Sequence, residues 1–154
     1  TSSNILYYSL AYTLATAVSF AVIMVVADYQ RGRNEQPESF NALNGLAKNN
    51  PDLAFAFTIA ILSLAGIPLT AGFWGKFFVF NDMFNKNLTY PIIIAVLMSA
   101  VGIYYYFKGI TSVYFNSGSI EKIHTPVLFK IALWFACIST LVLGIYPNLV
   151  KSIF

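Results

Sequence analysis

The residue best suited to chemistry is a lysine in an otherwise uncharged stretch. Lys76 is the one charged side chain between residues 53 and 80. A lysine at the centre of a bilayer costs at least about 2.5–3.5 kcal/mol, so its presence needs a reason. Phe77, Phe78, Val79 and Phe80 carry the apolar run past it, which puts an interface out of easy snorkelling reach. Ahead of it stand Gly66, Pro68, Gly72 and Gly75. Proline removes a backbone donor and clashes with the carbonyl four residues back, and glycine leaves helical dihedrals cheaply. The cluster predicts two half-helices joined by an unwound stretch over about 66–72. Broken backbone is tolerated at membrane depth where it is buried in protein or lines a watery cavity. A buried lysine beside such a break is a candidate for proton transfer, because it can exchange a proton near neutral pH where a surface lysine cannot. Snorkelling or a structural ion pair is the competing reading. Ser63 and Thr70 are candidate hydrogen-bond or water partners, with bonding back to their own helix as the equal alternative.

A second polar set is Ser99, Tyr104, Tyr105, Tyr106 and Lys108. Successive residues face different sides of a helix, so at most one or two of these can approach Lys76. Tyr105 and Lys108 stand as supporting candidates. Lys108 either snorkels to the nearby end of its apolar run or joins a polar track. His124, beside Pro126, reads as a solvated loop residue, and Cys137 as a small apolar side chain. One cysteine and one histidine cannot build a disulfide framework or a Cys/His metal site.

The surrounding chain has the composition of a membrane protein. It has 154 residues, of which 58% are hydrophobic and only 10% charged, where soluble domains carry about 25% charge. Too little charge is present to cover a soluble surface, which excludes a soluble enzyme or a disordered tail. The nine basic residues are scattered, which excludes a nucleic-acid binder. The gaps between charges mark four apolar spans near 4–27, 53–84, 89–115 and 127–149 in a single membrane unit, residues 1–154. The expectation is an all-α, polytopic transmembrane bundle whose second span is the broken helix. As one straight helix, 53–84 would extend about 48 Å against a hydrocarbon core of about 30 Å.

Four spans put both termini on one side and the polar loops 28–52 and 116–126 on the other. The loops hold Arg31, Arg33, Lys48 and Lys122, with Lys108 and Lys130 at their flanks, whereas the terminal side holds Lys86 and Lys151. The positive-inside bias assigns the loops to the cytoplasm and the termini to the periplasm. Residues 39–46 suggest a short amphipathic helix at the interface, and Asn50-Pro51-Asp52 a helix start. Tyr7, Tyr8, Tyr90, Trp134 and Tyr146, near span ends, are expected as interfacial anchors. The chain opens on Thr1 directly before an apolar run, which reads as a start within a longer subunit.

The string Ser63-Leu64-Ala65-Gly66-Ile67-Pro68-Leu69-Thr70-Ala71-Gly72-Phe73-Trp74-Gly75-Lys76-Phe77 resembles the broken-helix motif of the antiporter-like membrane subunits of respiratory complex I, the NADH–quinone oxidoreductase, and within them the subunit N branch. Gly102-Ile103-Tyr104-Tyr105-Tyr106-Phe107-Lys108 and Val142-Leu143-Gly144-Ile145-Tyr146-Pro147 fit the same branch. The resemblance implies the C-terminal part of a fold built from two inverted repeats, each with a broken helix. It implies that Lys76 is the lysine of the second broken helix, in the half-channel leading to the positive side. It implies proton translocation in a bacterial inner membrane beside other complex I membrane subunits and lipid. NADH, flavin, iron–sulfur clusters and quinone would belong to other subunits, with no cofactor or metal in this chain. A multisubunit cation/proton antiporter or membrane-bound hydrogenase would use the same lysine. A non-catalytic structural or assembly subunit is the reading from a different class.

Overall fold

The computed structural model describes residues 2–32, 40–118 and 120–148. Arg33 and Lys151, counted above for charge, lie outside the described residues, as does the first residue of the stretch 39–46. Among the described residues the structure is helical, with no strand.

Helix α1 spans Ser2–Arg31, and its buried residues Tyr7, Ala11, Ala15, Val18, Val22 and Val26 recur every three or four positions. That spacing makes one continuous stripe on a helix. The stripe packs against α3 (Pro51–Ala65), α4 (Ala71–Asn85) and α6 (Val127–Ile145). Helix α3 is the centre of the bundle, packed on α1, α5 (Thr89–Tyr114) and α6. Its sequence PDLAFAFTIAILSLA is apolar nearly all round, and ten of its residues are buried. The main core joins Val18, Val22, Leu46, Leu53, Phe57 and Leu133. A smaller cluster, Tyr7, Ala11, Ala71 and Phe78, fills the space between α1 and α4, with Trp74 and Leu143 against it.

Helices α1, α5 and α6 are each long and apolar enough to cross a membrane, at 30, 26 and 19 residues. Helices α3 and α4 have 15 residues each, about 22 Å, so neither crosses alone. Together they form the broken span. The break is shorter than the glycine positions suggest. It occupies residues 66–70, and Gly72 and Gly75 lie inside α4.

The first polar connection differs from expectation as well. Residues 40–49 form a 3₁₀ turn, Phe40–Leu43, and a single helical turn, α2 (Leu46–Asn49), in place of one amphipathic helix on a membrane surface. Ala42, Leu43 and Leu46 are buried in the bundle, and Gln30 donates to the Ala42 carbonyl at 2.7 Å. Both connections are stitched at one end of the molecule. Buried Asn50 donates Nδ2 to the Glu121 carbonyl at 2.9 Å and accepts the Ile123 amide at 2.7 Å. Pro51 takes the first position of α3, where a missing amide costs nothing. At the opposite end Asn4 donates to Asp82 at 2.9 Å, tying α1 to α4.

Candidate functional site

The break is built by residues that end one helix and start the next. Gly66 closes α3 in the left-handed region, at φ 82° and ψ 39°. There its amide reaches the Leu62 and Ser63 carbonyls, both at 3.0 Å, and the Ile67 amide also reaches Leu62 at 3.0 Å. Pro68 sits in the turn, exposed, where no amide is needed. Thr70 is extended, at φ −109° and ψ 154°, and precedes α4. Its hydroxyl donates to the Ile67 carbonyl at 2.7 Å, so it braces the turn and is not a partner of Lys76.

A helix end leaves four carbonyls without an intrahelical donor. At the end of α3, backbone amides cover those of Leu62 and Ser63. Lys76 covers the other two: its Nζ donates to Leu64 at 2.9 Å and to Ala65 at 3.2 Å. The ammonium thus sits at the C-terminal pole of a helix, which favours positive charge. The far side of the break mirrors this arrangement. The Gly72 amide, in the first turn of α4, donates to Ser63 Oγ at 3.1 Å. Each half-helix therefore caps the other, α4 through Lys76 and α3 through Ser63.

Close approach of the halves depends on the α4 glycines. A Cβ on Gly72 would overlap the Ser63 carbonyl, and one on Gly75 would come to 3.2 Å from the Tyr8 Cα. Helix α6 seals the turn: a Cβ on Gly144 would overlap the Leu69 carbonyl. Trp74 Nε1 donates to the Gly144 carbonyl at 2.8 Å, and the Tyr7 hydroxyl to the Leu143 carbonyl at 2.6 Å. Tyr7 is 1% exposed and so serves as a buried clamp, not as the interfacial anchor expected near a span end.

Lys76 borders two cavities. One, of about 10 Å³, is lined by Tyr8, Tyr12, Ser63 and Gly72, and is the size of a single water. The other, of about 280 Å³, opens between α4 and α5 and is lined by Gly66, Phe73, Phe77 and Ser99 among others. Among the described residues no carboxylate lines either cavity. Tyr8 and Tyr12 enter the site, although Tyr8, near a span end, was expected as an anchor and Tyr12 was not singled out. Two tyrosines one turn apart in the uncharged run of residues 1–27 were the available signal. Tyr105 and Lys108 lie exposed on α5 and line neither cavity. Ser99 reaches the larger cavity while its hydroxyl bonds its own helix at Ala95, 2.8 Å away.

Comparison with known proteins follows the same residues. The family model described as "NADH:quinone oxidoreductase/Mrp antiporter, TM" matches residues 1–103, a stretch that includes the whole break. The NADH-quinone oxidoreductase subunit N of Flavobacterium psychrophilum is 36% identical over 152 residues, covering 99% of this chain and 32% of that subunit. The F(420)H(2) dehydrogenase subunit N of Methanosarcina mazei is 33% identical over 147 residues, 92% of this chain and 30% of that one. Among solved structures, a chain of respiratory complex I from Thermus thermophilus with bound aureothin superposes with a TM-score of 0.80 at 30% identity, over 96% of this chain and 33% of its own length. The chain thus spans about a third of the length of the curated relatives it matches.

Proposed function

We propose a function from one premise, that the chain belongs to the NADH:quinone oxidoreductase/Mrp antiporter transmembrane family, whose model matches residues 1–103. It forms the outer part of a proton path in the membrane arm of an NADH–quinone oxidoreductase. Lys76 is the proton-transfer group. The observation that carries this reading is the placement of its ammonium, on two backbone carbonyls at a helix break, between two cavities. The carbonyls accept hydrogen bonds but take no proton, so they hold the charge without competing for it. A proton arriving through water in one cavity can load Nζ and leave through water in the other. Electron input and quinone reduction belong to other subunits, and changes of charge there drive loading and release.

The polar connections 28–52 and 116–126 face the cytoplasm and the termini the periplasm, in a bacterial inner membrane. The positive-inside bias supports that orientation, and the Asn50 hydrogen bonds support both connections lying at one end. Other membrane subunits of the complex and lipid cover the exposed face of α5.

Replacing Lys76 with Ala in the full-length subunit tests the reading. The complex should assemble, and proton pumping per assembled complex should fall at least about tenfold, the scale of losing a proton-transfer group. Unchanged pumping and coupled turnover would overturn it. A second reading has one observation in its favour, the relative named for F(420)H(2) dehydrogenase. In that reading the same lysine serves a complex with a different electron donor, or an antiporter. Identifying the subunits that co-purify with the full-length protein separates these.

A further inference from the structure

We infer that Ser63 is a positioning residue for Lys76, a role that rests on the proposed proton transfer at that lysine. Gly72 and Lys76 are four residues apart on α4 and so share one face of the helix. A long helical side chain leans back toward its own N-terminus. The face that gives the Gly72 amide to Ser63 therefore also lays the Lys76 ammonium toward the end of α3. Ser63 immediately precedes Leu64 and Ala65, whose carbonyls receive that ammonium. Ser63 is 1% exposed and borders the same water-sized cavity as Lys76, and its hydroxyl accepts the Gly72 amide at 3.1 Å. One hydrogen bond thus sets the register between the helix end that holds the charge and the helix that carries it. The titratable side chains facing the ammonium across that cavity are Tyr8 and Tyr12 of α1. Helix α5 contributes the hydroxyl of Ser99 across the larger one. None of these bonds the Lys76 ammonium, which leaves the two carbonyls as its hydrogen-bond partners among the described residues.

The test separates the acceptor oxygen from the volume it occupies. Four forms of the full-length subunit are compared in the assembled complex: the native Ser63, Ser63→Ala, Ser63→Thr and Ser63→Val. Threonine and valine share a shape and the same added methyl, but only threonine keeps an acceptor for the Gly72 amide. Pumping per assembled complex should be about 3- to 10-fold higher with threonine than with valine, and likewise with serine than with alanine, as befits one hydrogen bond of ordinary strength. Equal pumping by the threonine and valine forms would overturn the inference. Failure of only the alanine and valine forms to assemble would also overturn it, since the hydroxyl would then serve folding alone. The Lys76→Ala complex measured alongside keeps the two claims apart. Normal pumping there removes the proton-transfer reading, whereas impaired pumping there with equal threonine and valine forms removes only the role of Ser63.

Discussion

Two lysines stand within the apolar helices α4 and α5, Lys76 half-buried and Lys108 exposed, and the backbone around them differs. Lys76 follows a break in the backbone, whereas Lys108 sits in a continuous helix. Both have aromatic neighbours, Phe77 and Phe78 in one case and Tyr106 and Phe107 in the other. Helix α5 is continuous through Lys108, so no helix end beside that lysine leaves carbonyls for its ammonium. The end of α3 has two to spare, and Lys76 takes them at 2.9 and 3.2 Å. A lysine in an apolar helix therefore gains a site when a neighbouring backbone is interrupted. Its own helix and immediate neighbours are not enough.

Glycine substitutions break this comparison most sharply. Gly72→Ala should be the most damaging, because its Cβ would overlap a backbone carbonyl that cannot swing aside. We expect a loss of about 3 kcal/mol, the upper part of the usual overpacking range. It would appear as reduced assembled complex and a lower melting temperature in detergent. Gly66→Ala should cost about 1–2 kcal/mol from its left-handed φ of 82°. Its Cβ would also lie 3.1 Å from the Lys76 Cδ, so pumping should fall beyond what reduced assembly explains. The same change in α5 should do the reverse. A Cβ on Gly102 would meet only a Tyr106 ring carbon at 3.5 Å, an ordinary contact. Gly102→Ala should therefore raise stability by up to about 1 kcal/mol through helix propensity, with pumping unchanged. A loss of stability there as large as at Gly72 would erase the distinction between the two helices.

The broken helix was legible because its signals are local: a span too long for the bilayer, with glycine and proline at its middle. That the carbonyls at the end of α3 receive Lys76 was not read from the sequence, which offered the hydroxyls of Ser63 and Thr70 as partners. The extent of the break was less legible. Gly72 looks like a residue needed for unusual dihedrals, but it is needed for contact with Ser63, and only packing distinguishes the two uses of glycine. The tyrosines of α1 were hidden for a similar reason. Tyr7 donates to the carbonyl of Leu143, 136 residues away, and no periodicity within α1 announces that partner. The turns of residues 40–49 were missed because four-residue elements are too short to show a period.

The smallest expected effect belongs to Lys108 itself. It lies less than two turns before α5 ends at Tyr114, exposed, and its ammonium makes no hydrogen bond or ion pair among the described residues. From that position a flexible side chain can extend its charge to the polar end of the helix while its methylenes stay on apolar surface. Lys108→Gln removes the charge and keeps much of the length. Stability should change by less than about 0.5 kcal/mol, as for surface substitutions generally, and pumping by less than about twofold, a similar free energy. Assaying it beside Lys76→Ala in one preparation gives the direct contrast. A tenfold loss at Lys108 would mean that a continuous helix can also present a working lysine, through groups outside this chain. The interrupted backbone would then be one route to such a site among several, and the polar track along α5 would become the next place to look.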